Sequence, residues 1–346
     1  MTPELYQHYF MLRDVLPVQI TAGNTEKLAG RIKMIKTRLR DFLVTKDDWI
    51  FAVSDYFHPH GIRSTMRYVP DENGERELNG KRYKKYDFDV AFDFMRQNRP
   101  GWVEDVHVVP EDQIKKVLPP NSVIEKLYDS EKRVAVVVDT LEEAGISREM
   151  MGVTGSLLPG LQNEGSDIDF VVYGAQWFIA RDAISKAKSE TGPIQDIDEK
   201  MWKKIYNKRI PEISFEEFIA HEKRKGNRGM VDGTYFDLLF VRDWEQIKEP
   251  ILRGEDIGSM KIEAKVTNAE LAFDSPSVYK VEHDEIDHVL SYTHTYAGQA
   301  LKGESIEAQG VVEQVGKIKR LVVGTSREPK GEWIRSLTLL KKEGLI

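Results

Sequence analysis

The chain has 346 residues, 31 % charged and 40 % hydrophobic, with a formal net charge of −7. That length fits two or three ordinary domains, and the composition excludes a mostly disordered chain or a basic coat for nucleic acid. No apolar run approaches the ~20 residues of a membrane-spanning helix, and residues 1–17 lack a signal-peptide pattern. Without any cysteine, disulfides, thiolate nucleophiles and Cys-ligated metals are excluded, and an intracellular, cytoplasmic protein is expected.

In residues 24–44, Leu28, Ile32, Ile35, Leu39 and Phe42 recur at three-to-four spacing among Lys and Arg, which predicts a helix capped by Asn24 or Thr25. Residues 49–53 and 62–69 then read as strands, with a turn at 71–74, and residues 83–90 and 102–109 as two more. Asp87-Phe88-Asp89 belongs to the third of these as a polar strand face, and His58-Pro59-His60 reads as a turn rather than half a metal site. Residues 130–144 predict a helix stopped by Gly145. Strands at 150–153 and 168–172, helices at 175–189, 198–206 and 215–224, and a strand at 233–241 follow. From about residue 258, alternating and β-branched segments at 261–266, 309–315 and 319–324 predict a β module, a small barrel being one form of it.

The fold class expected is α+β, with a central mixed-sheet domain over 121–257. An N-terminal α+β module over 1–120 and a C-terminal β-rich module over 258–346 flank it. His283, His288 and His294, among acids, read as a solvated helical segment.

The chemistry lies in Gly152-Val153-Thr154-Gly155-Ser156, followed ten residues later by Asp167-Ile168-Asp169-Phe170. Alternate strand residues share a face, so Asp167 and Asp169 project together while Ile168 and Phe170 enter the core. Paired carboxylates are tolerable when a divalent cation lies between them. Gly155 has no Cβ, so its backbone can approach a phosphate closely. A third acid, Asp237, interrupts the apolar strand Tyr235-Phe236-Asp237-Leu238-Leu239, where an unpaired carboxylate is costly. Asp232 and Asp243 flank that strand as candidate caps.

These residues resemble the DNA polymerase beta-like nucleotidyltransferase superfamily, whose signature is Gly-Ser, a gap of about ten residues, Asp-hydrophobic-Asp and a later lone strand acid. The resemblance covers roughly residues 130–245 and points to an archaeal-type branch. It implies a small mixed sheet, an NTP such as ATP as donor, and two Mg²⁺ or Mn²⁺ ions. Carried over, Gly155 and Ser156 hold the triphosphate, Asp167 and Asp169 ligate both metals, and Asp237 ligates the catalytic metal and draws the proton from the attacking hydroxyl. Members of this superfamily commonly place a basic residue soon after Gly-Ser, and Leu157-Leu158-Pro159-Gly160-Leu161 has none. Residues 199–228, with nine Lys or Arg against five Glu, are the candidate replacement, with Lys223, Arg224 and Arg228 expected to bind the NTP. Lys317, Lys319, Arg320, Arg327, Lys330 and Arg335 with Trp333 fit either base stacking or an exposed strand face. The expected reaction moves an NMP to a hydroxyl of RNA or another nucleic acid. A protein acceptor and a catalytically silent nucleotide-binding scaffold are the alternatives.

Overall fold

The computed structural model describes residues 35–325 and 330–346, which fall into two compact units divided after Val117. In the first, β1 (Phe42–Thr45), β2 (Ile50–Val53), β3 (Ile62–Pro70), β4 (Arg76–Leu78), β5 (Lys81–Lys85), β6 (His107–Val109) and β7 (Ile114–Leu118) form one sheet in the order β4-β5-β3-β2-β1-β7, with β6 on β3. Helix α1 (Phe88–Asn98) adds Ala91 and Met95 to a core of Leu43, Phe51, Ile62, Met66 and Val109.

Three local expectations change here. Of the helix expected over 24–44, residues 24–34 lie outside the described residues. The rest is a turn running into β1, with Arg40 at φ 73° and Arg38 N–H donating to Asp41. Buried Leu39, Phe42 and Leu43 around a turn imitate helical spacing. Likewise the strand expected over 83–90 stops at Lys85, because Asp87 is the N-cap of α1 and Asp89 lies in its first turn, where the helix dipole favours an acid. Over 102–109 only His107–Val109 is strand, since a short 3₁₀ turn occupies Pro100–Trp102. His58 is the turn residue expected, its Nδ1 accepting Arg63 N–H at 3.2 Å.

The second unit begins with α2 (Ile124–Ser130) and α3 (Lys132–Glu143), capped by the Glu131 carboxylate rather than by Ser130. Strands β8 (Met151–Thr154), β9 (Ile168–Tyr173), β10 (Ile194–Gln195), β11 (Arg228–Val231) and β12 (Thr234–Val241) make a sheet in the order β10-β11-β12-β9-β8. Only the β9–β12 pair is parallel. Ile168, Phe170, Phe236 and Leu238 point to the face covered by α3 and α4 (Gln176–Ala187), packing on Val134, Val138 and Trp177. Helices α5 (Glu199–Arg209) and α6 (Phe215–Lys225) instead share a core with the C-terminal strands.

Those strands are β13 (Glu255–Leu271), β14 (Ser277–Glu282), β15 (His288–Ser291), β16 (Ser305–Val315) and β17 (Ile318–Val323). They pair as β13-β14-β15-β17-β16, and β16 pairs back to β13, closing a five-stranded barrel with β15 parallel to β17. This is the connectivity of oligonucleotide/oligosaccharide-binding-type barrels. Strand β18 (Trp333–Ser336) extends β16, and α7 (Leu337–Lys342) follows it. The helix expected around His283 to His294 is absent: His288 is in β15 and His294 opens a 3₁₀ turn.

His221 joins α6 to β18. Its Nδ1–H donates to the Glu217 carbonyl at 2.7 Å and its Nε2 accepts Ser336 N–H at 2.9 Å, so the ring is neutral. Burial pushes its pKa down to about 3. An unfolded chain takes up this proton near pH ~6.5 and the folded chain does not. Stability is therefore greatest above that pH and falls on acidification, by up to about 1.4 kcal/mol per unit from this group. A series of thermal melts from about pH 7 to about pH 4 should show Tm falling throughout; a flat profile contradicts the neutral buried ring.

Candidate active site

Strand register builds the site. Thr154 on β8 lies opposite Asp169 on β9, Asp169 opposite Asp237 on β12, and Asp237 opposite Arg228 on β11. Partners in register point to one face, so these four side chains form a row across the sheet, on the side away from α3 and α4. Asp167, two residues before Asp169, is exposed at the end of that face. One step along, Gly152 carries the Pro120–Asn121 backbone so closely that a Cβ would lie 2.5 Å from it, and this closes the row on its inner side.

The loop after β8 explains two sequence features. Gly155 takes φ 66°, and a Cβ there would lie 2.2 Å from Asp169 Oδ2. Only glycine lets this carboxylate lie across the loop. Leu157, Leu158 and Leu161 are buried, and Leu161 N–H donates to the Ser156 carbonyl at 2.9 Å. The positions where superfamily members carry a cation thus anchor the loop in the interior, where a lysine would be desolvated.

Asp237 is the most enclosed member of the row. Its Oδ1 accepts from Asn227 Nδ2 at 3.0 Å; its Oδ2 accepts from Arg228 Nε at 3.1 Å, His294 Nε2 at 3.0 Å and the Tyr235 hydroxyl at 3.4 Å. Burial opposes ionisation here. The Arg228 charge and the His294 bond outweigh it and hold the carboxyl far below its ordinary value. His294 is lowered to about 4, chiefly by desolvation, and as a neutral ring it donates from Nε2. Behind Arg228 lies a buried charge cluster. Arg228 also pairs with Glu222, and Lys225 Nζ donates to Glu222 at 2.6 Å and to the Thr295 carbonyl at 2.8 Å. Arg209 stands 3.7 Å from Glu222 and is lowered to about 10 by burial and the Arg228 charge, so it remains a cation at neutral pH.

The structure brings Gly155, Asp167, Asp169, Asp237 and Arg228 to one sheet face and leaves Lys223 and Arg224 on α6. Lys223 is exposed, and Arg224 donates from Nη1 to both carboxylate oxygens of Glu304, at 2.6 and 2.7 Å, and from Nη2 to the Gln299 carbonyl. Ser156, half-buried, follows Gly155 in the loop. In the C-terminal module, Lys319 pairs with Glu285, buried Arg320 with Glu313, and Arg335 with Glu217 and Glu307, which also accepts from Trp333; Arg327 lies outside the described residues. Sequence reasoning missed His294, Asn227, Arg209 and Glu222. The one signal for Asn227, Arg209 and Glu222 was the charge density of 199–228, and His294 lies outside that segment.

Among the described residues no group of three or more His, Asp or Glu is arranged to hold a metal ion. The donor set still fits one hard divalent ion. Asp167 and Asp169 offer two carboxylates, and phosphate and water oxygens would complete the shell. Asn227 Oδ1, buried next to Asp237 and without a donor, fits a bound water or hydroxyl. At Asp237 the positive partners are Arg228 and the His294 N–H, so an ion there must exchange with them.

A mixed sheet with in-register acids beyond a Gly-Ser loop defines a nucleotidyltransferase domain, and the family model described as "Nucleotidyltransferase domain" matches residues 132–224. That match contains Gly155, Ser156, Asp167 and Asp169 and ends before Asp237. The chain belongs to the polymerase beta-like nucleotidyltransferase superfamily and, within it, to the family of the uncharacterized protein MJ1086 of Methanocaldococcus jannaschii. The two are 38 % identical over 341 residues, covering 87 % of this chain and 99 % of the relative. No solved structure matches significantly. No helix among the described residues is long and apolar enough to cross a membrane.

Arg228→Met leaves Glu222 and Asp237 buried without their shared cation. Denaturant unfolding should register a loss of about 3–5 kcal/mol, and a loss below ~1 kcal/mol would show that the pair is dispensable. Gly155→Ala should abolish transfer while costing about 1–3 kcal/mol of stability, from the positive φ and the contact with Asp169. Retention of transfer activity contradicts the close approach of loop and acid.

Proposed function

We propose that this protein is a metal-dependent nucleotidyltransferase that moves an NMP from an NTP to a hydroxyl acceptor, RNA in first place, and releases pyrophosphate. The observation that carries this reading is the register of Asp169 with Asp237 on one sheet face, beside the Gly155 loop. The acceptor hydroxyl oxygen bonds to the α-phosphorus while its proton passes by way of Asp237 to solvent; the bond from that phosphorus to the bridging oxygen breaks, and its electron pair leaves with pyrophosphate. Gly155 and Ser156 present backbone N–H groups to the triphosphate. Asp167 and Asp169 would hold Mg²⁺ or Mn²⁺, and Asp237, once freed from Arg228 and His294, would hold a second ion. Metal held there would supply neutralisation of the charge that develops on the phosphates. Asp237 orients the attacking hydroxyl. Lys223, Arg224 and Arg228 remain the candidate cations toward the NTP, Arg228 as the member of the row and the other two from α6.

A second reading has one specific observation in its favour. Four donors from the chain itself surround the Asp237 carboxylate, which suits a domain that binds nucleotide without turning it over. Pyrophosphate release with each of the four NTPs, with Mg²⁺ or Mn²⁺ and with or without total cellular RNA, separates the two. RNA-dependent release that drops at least about a thousandfold in Asp167→Asn/Asp169→Asn is the expected result. No release from wild type under any condition supports the scaffold. Label that moves onto a ribonuclease-resistant protein band makes the acceptor a protein.

A further inference from the structure

The basic segment 199–228 divides in two when folded. In its densest part, 221–228, Arg224 pairs with Glu304, and Lys225 and Arg228 are buried with Glu222. Lys223 is that part's one exposed cation, and the other exposed cations of the segment lie on α5. Met201, Trp202, Ile205, Tyr206 and Arg209 turn inward, while Lys200, Lys203, Lys204 and Lys208 are exposed. Lys200, Lys204 and Lys208 recur every four residues and form one stripe along the helix. Lys203 is held by Glu199 at 2.6 Å, and among the described residues no ion pair involves the other three.

Two observations give the stripe a direction. The helix ends at Arg209, whose guanidinium reaches Glu222 and feels the charges of Arg228 and Asp237, so the stripe runs from the acid row outward. The helix dipole accounts for Lys208 and Arg209 in the last turn, yet Lys200 lies in the first turn, where a cation is disfavoured. The chain as a whole is −7, so this is a local concentration of positive charge on an acidic molecule. On the barrel, Lys261, Lys319, Arg320 and Arg335 are each paired with a glutamate, and the exposed Lys265, Lys280 and Lys302 are spread over β13, β14 and the segment before β16 rather than aligned in one stripe.

We infer that the α5 lysine stripe is the track on which a single-stranded RNA acceptor lies, its phosphates on Lys200, Lys204 and Lys208 and its reactive end at the acid row. This rests on the transferase reading and names the surface that selects the acceptor. Eight residues of helix span about 12 Å, the length of three or four phosphates of a stacked strand at ~3.4 Å each.

The test is binding of a mixed-sequence oligoribonucleotide of about a dozen nucleotides, measured against salt concentration. Lys200→Glu/Lys204→Glu/Lys208→Glu should weaken it at least tenfold and lower the salt slope by about 2, since each phosphate contact on a single strand contributes ~0.7. Lys265→Glu/Lys280→Glu/Lys302→Glu makes the same change in net charge on exposed barrel positions and should stay within about threefold of wild type. Asp167→Asn/Asp169→Asn should bind the oligonucleotide as wild type does, so a failure of catalysis is read separately from a failure of the track. Equal losses in both lysine variants, no binding by wild type, or loss only of label transfer to protein each overturn the proposal.

Discussion

Two carboxylates face each other across the one parallel strand pair of the nucleotidyltransferase sheet, and the rest of the second unit is arranged around that pair. Strands in register lie about 4.8 Å apart, so Asp169 and Asp237 are neighbours of like sign in a partly desolvated row. Opposite charge has to be built in on either flank. On one side Arg228 occupies the next strand, in register with Asp237. On the other, exposed Asp167 stands beside half-buried Asp169, the place a cation from solution would take. Gly155 and Gly152 are glycines because side chains there would enter this row or the segment packed beside it.

The flanking Arg228 has a structural consequence. A buried guanidinium needs its own partners, and it finds Glu222 at the end of α6, which in turn takes Lys225. Lys225 reaches the Thr295 carbonyl and Asp237 reaches His294, both in the short turn that leads from β15 toward β16 of the barrel. The barrel is therefore fastened to the acid row through ionic and hydrogen-bonded contacts as well as through the apolar core it shares with α5 and α6. Movement of that turn would alter how tightly Asp237 is held. This gives the C-terminal strands a physical route to the chemistry without contributing a carboxylate.

Much of this plan was legible in the chain because its parts are local. Period-two alternation put Asp167 and Asp169 on one face, Gly155-Ser156 ended the preceding strand, and between residues 130 and 241 the helices together with β8, β9 and β12 announced themselves by periodicity and stops, while the short β10 and β11 did not. The β-rich end was legible for the same reason, although closure through β13 and β16 depends on pairing that no local pattern encodes. What escaped was non-local or ambiguous. His294 lies 57 residues beyond Asp237, in a stretch whose acids made it look solvated. Charge density at 221–228 looked like a surface, yet Lys225 and Arg228 serve Glu222 and Asp237 in the interior. Asp87-Phe88-Asp89 has the strand form of an acid pair, but Asp87 caps a helix there, and three letters cannot distinguish a cap from a strand face.

The central claim is that Asp169, flanked by Asp167 and Gly155, is where the metal-bound nucleotide is held. Its most direct test is the electron paramagnetic resonance signal of Mn²⁺ titrated into the protein with a non-hydrolysable NTP analogue, in wild type and in Asp169→Asn. The account predicts protein-bound Mn²⁺ in wild type, dependent on the nucleotide, and its loss in the variant with the fold intact by circular dichroism. Undiminished Mn²⁺ binding in Asp169→Asn would contradict it.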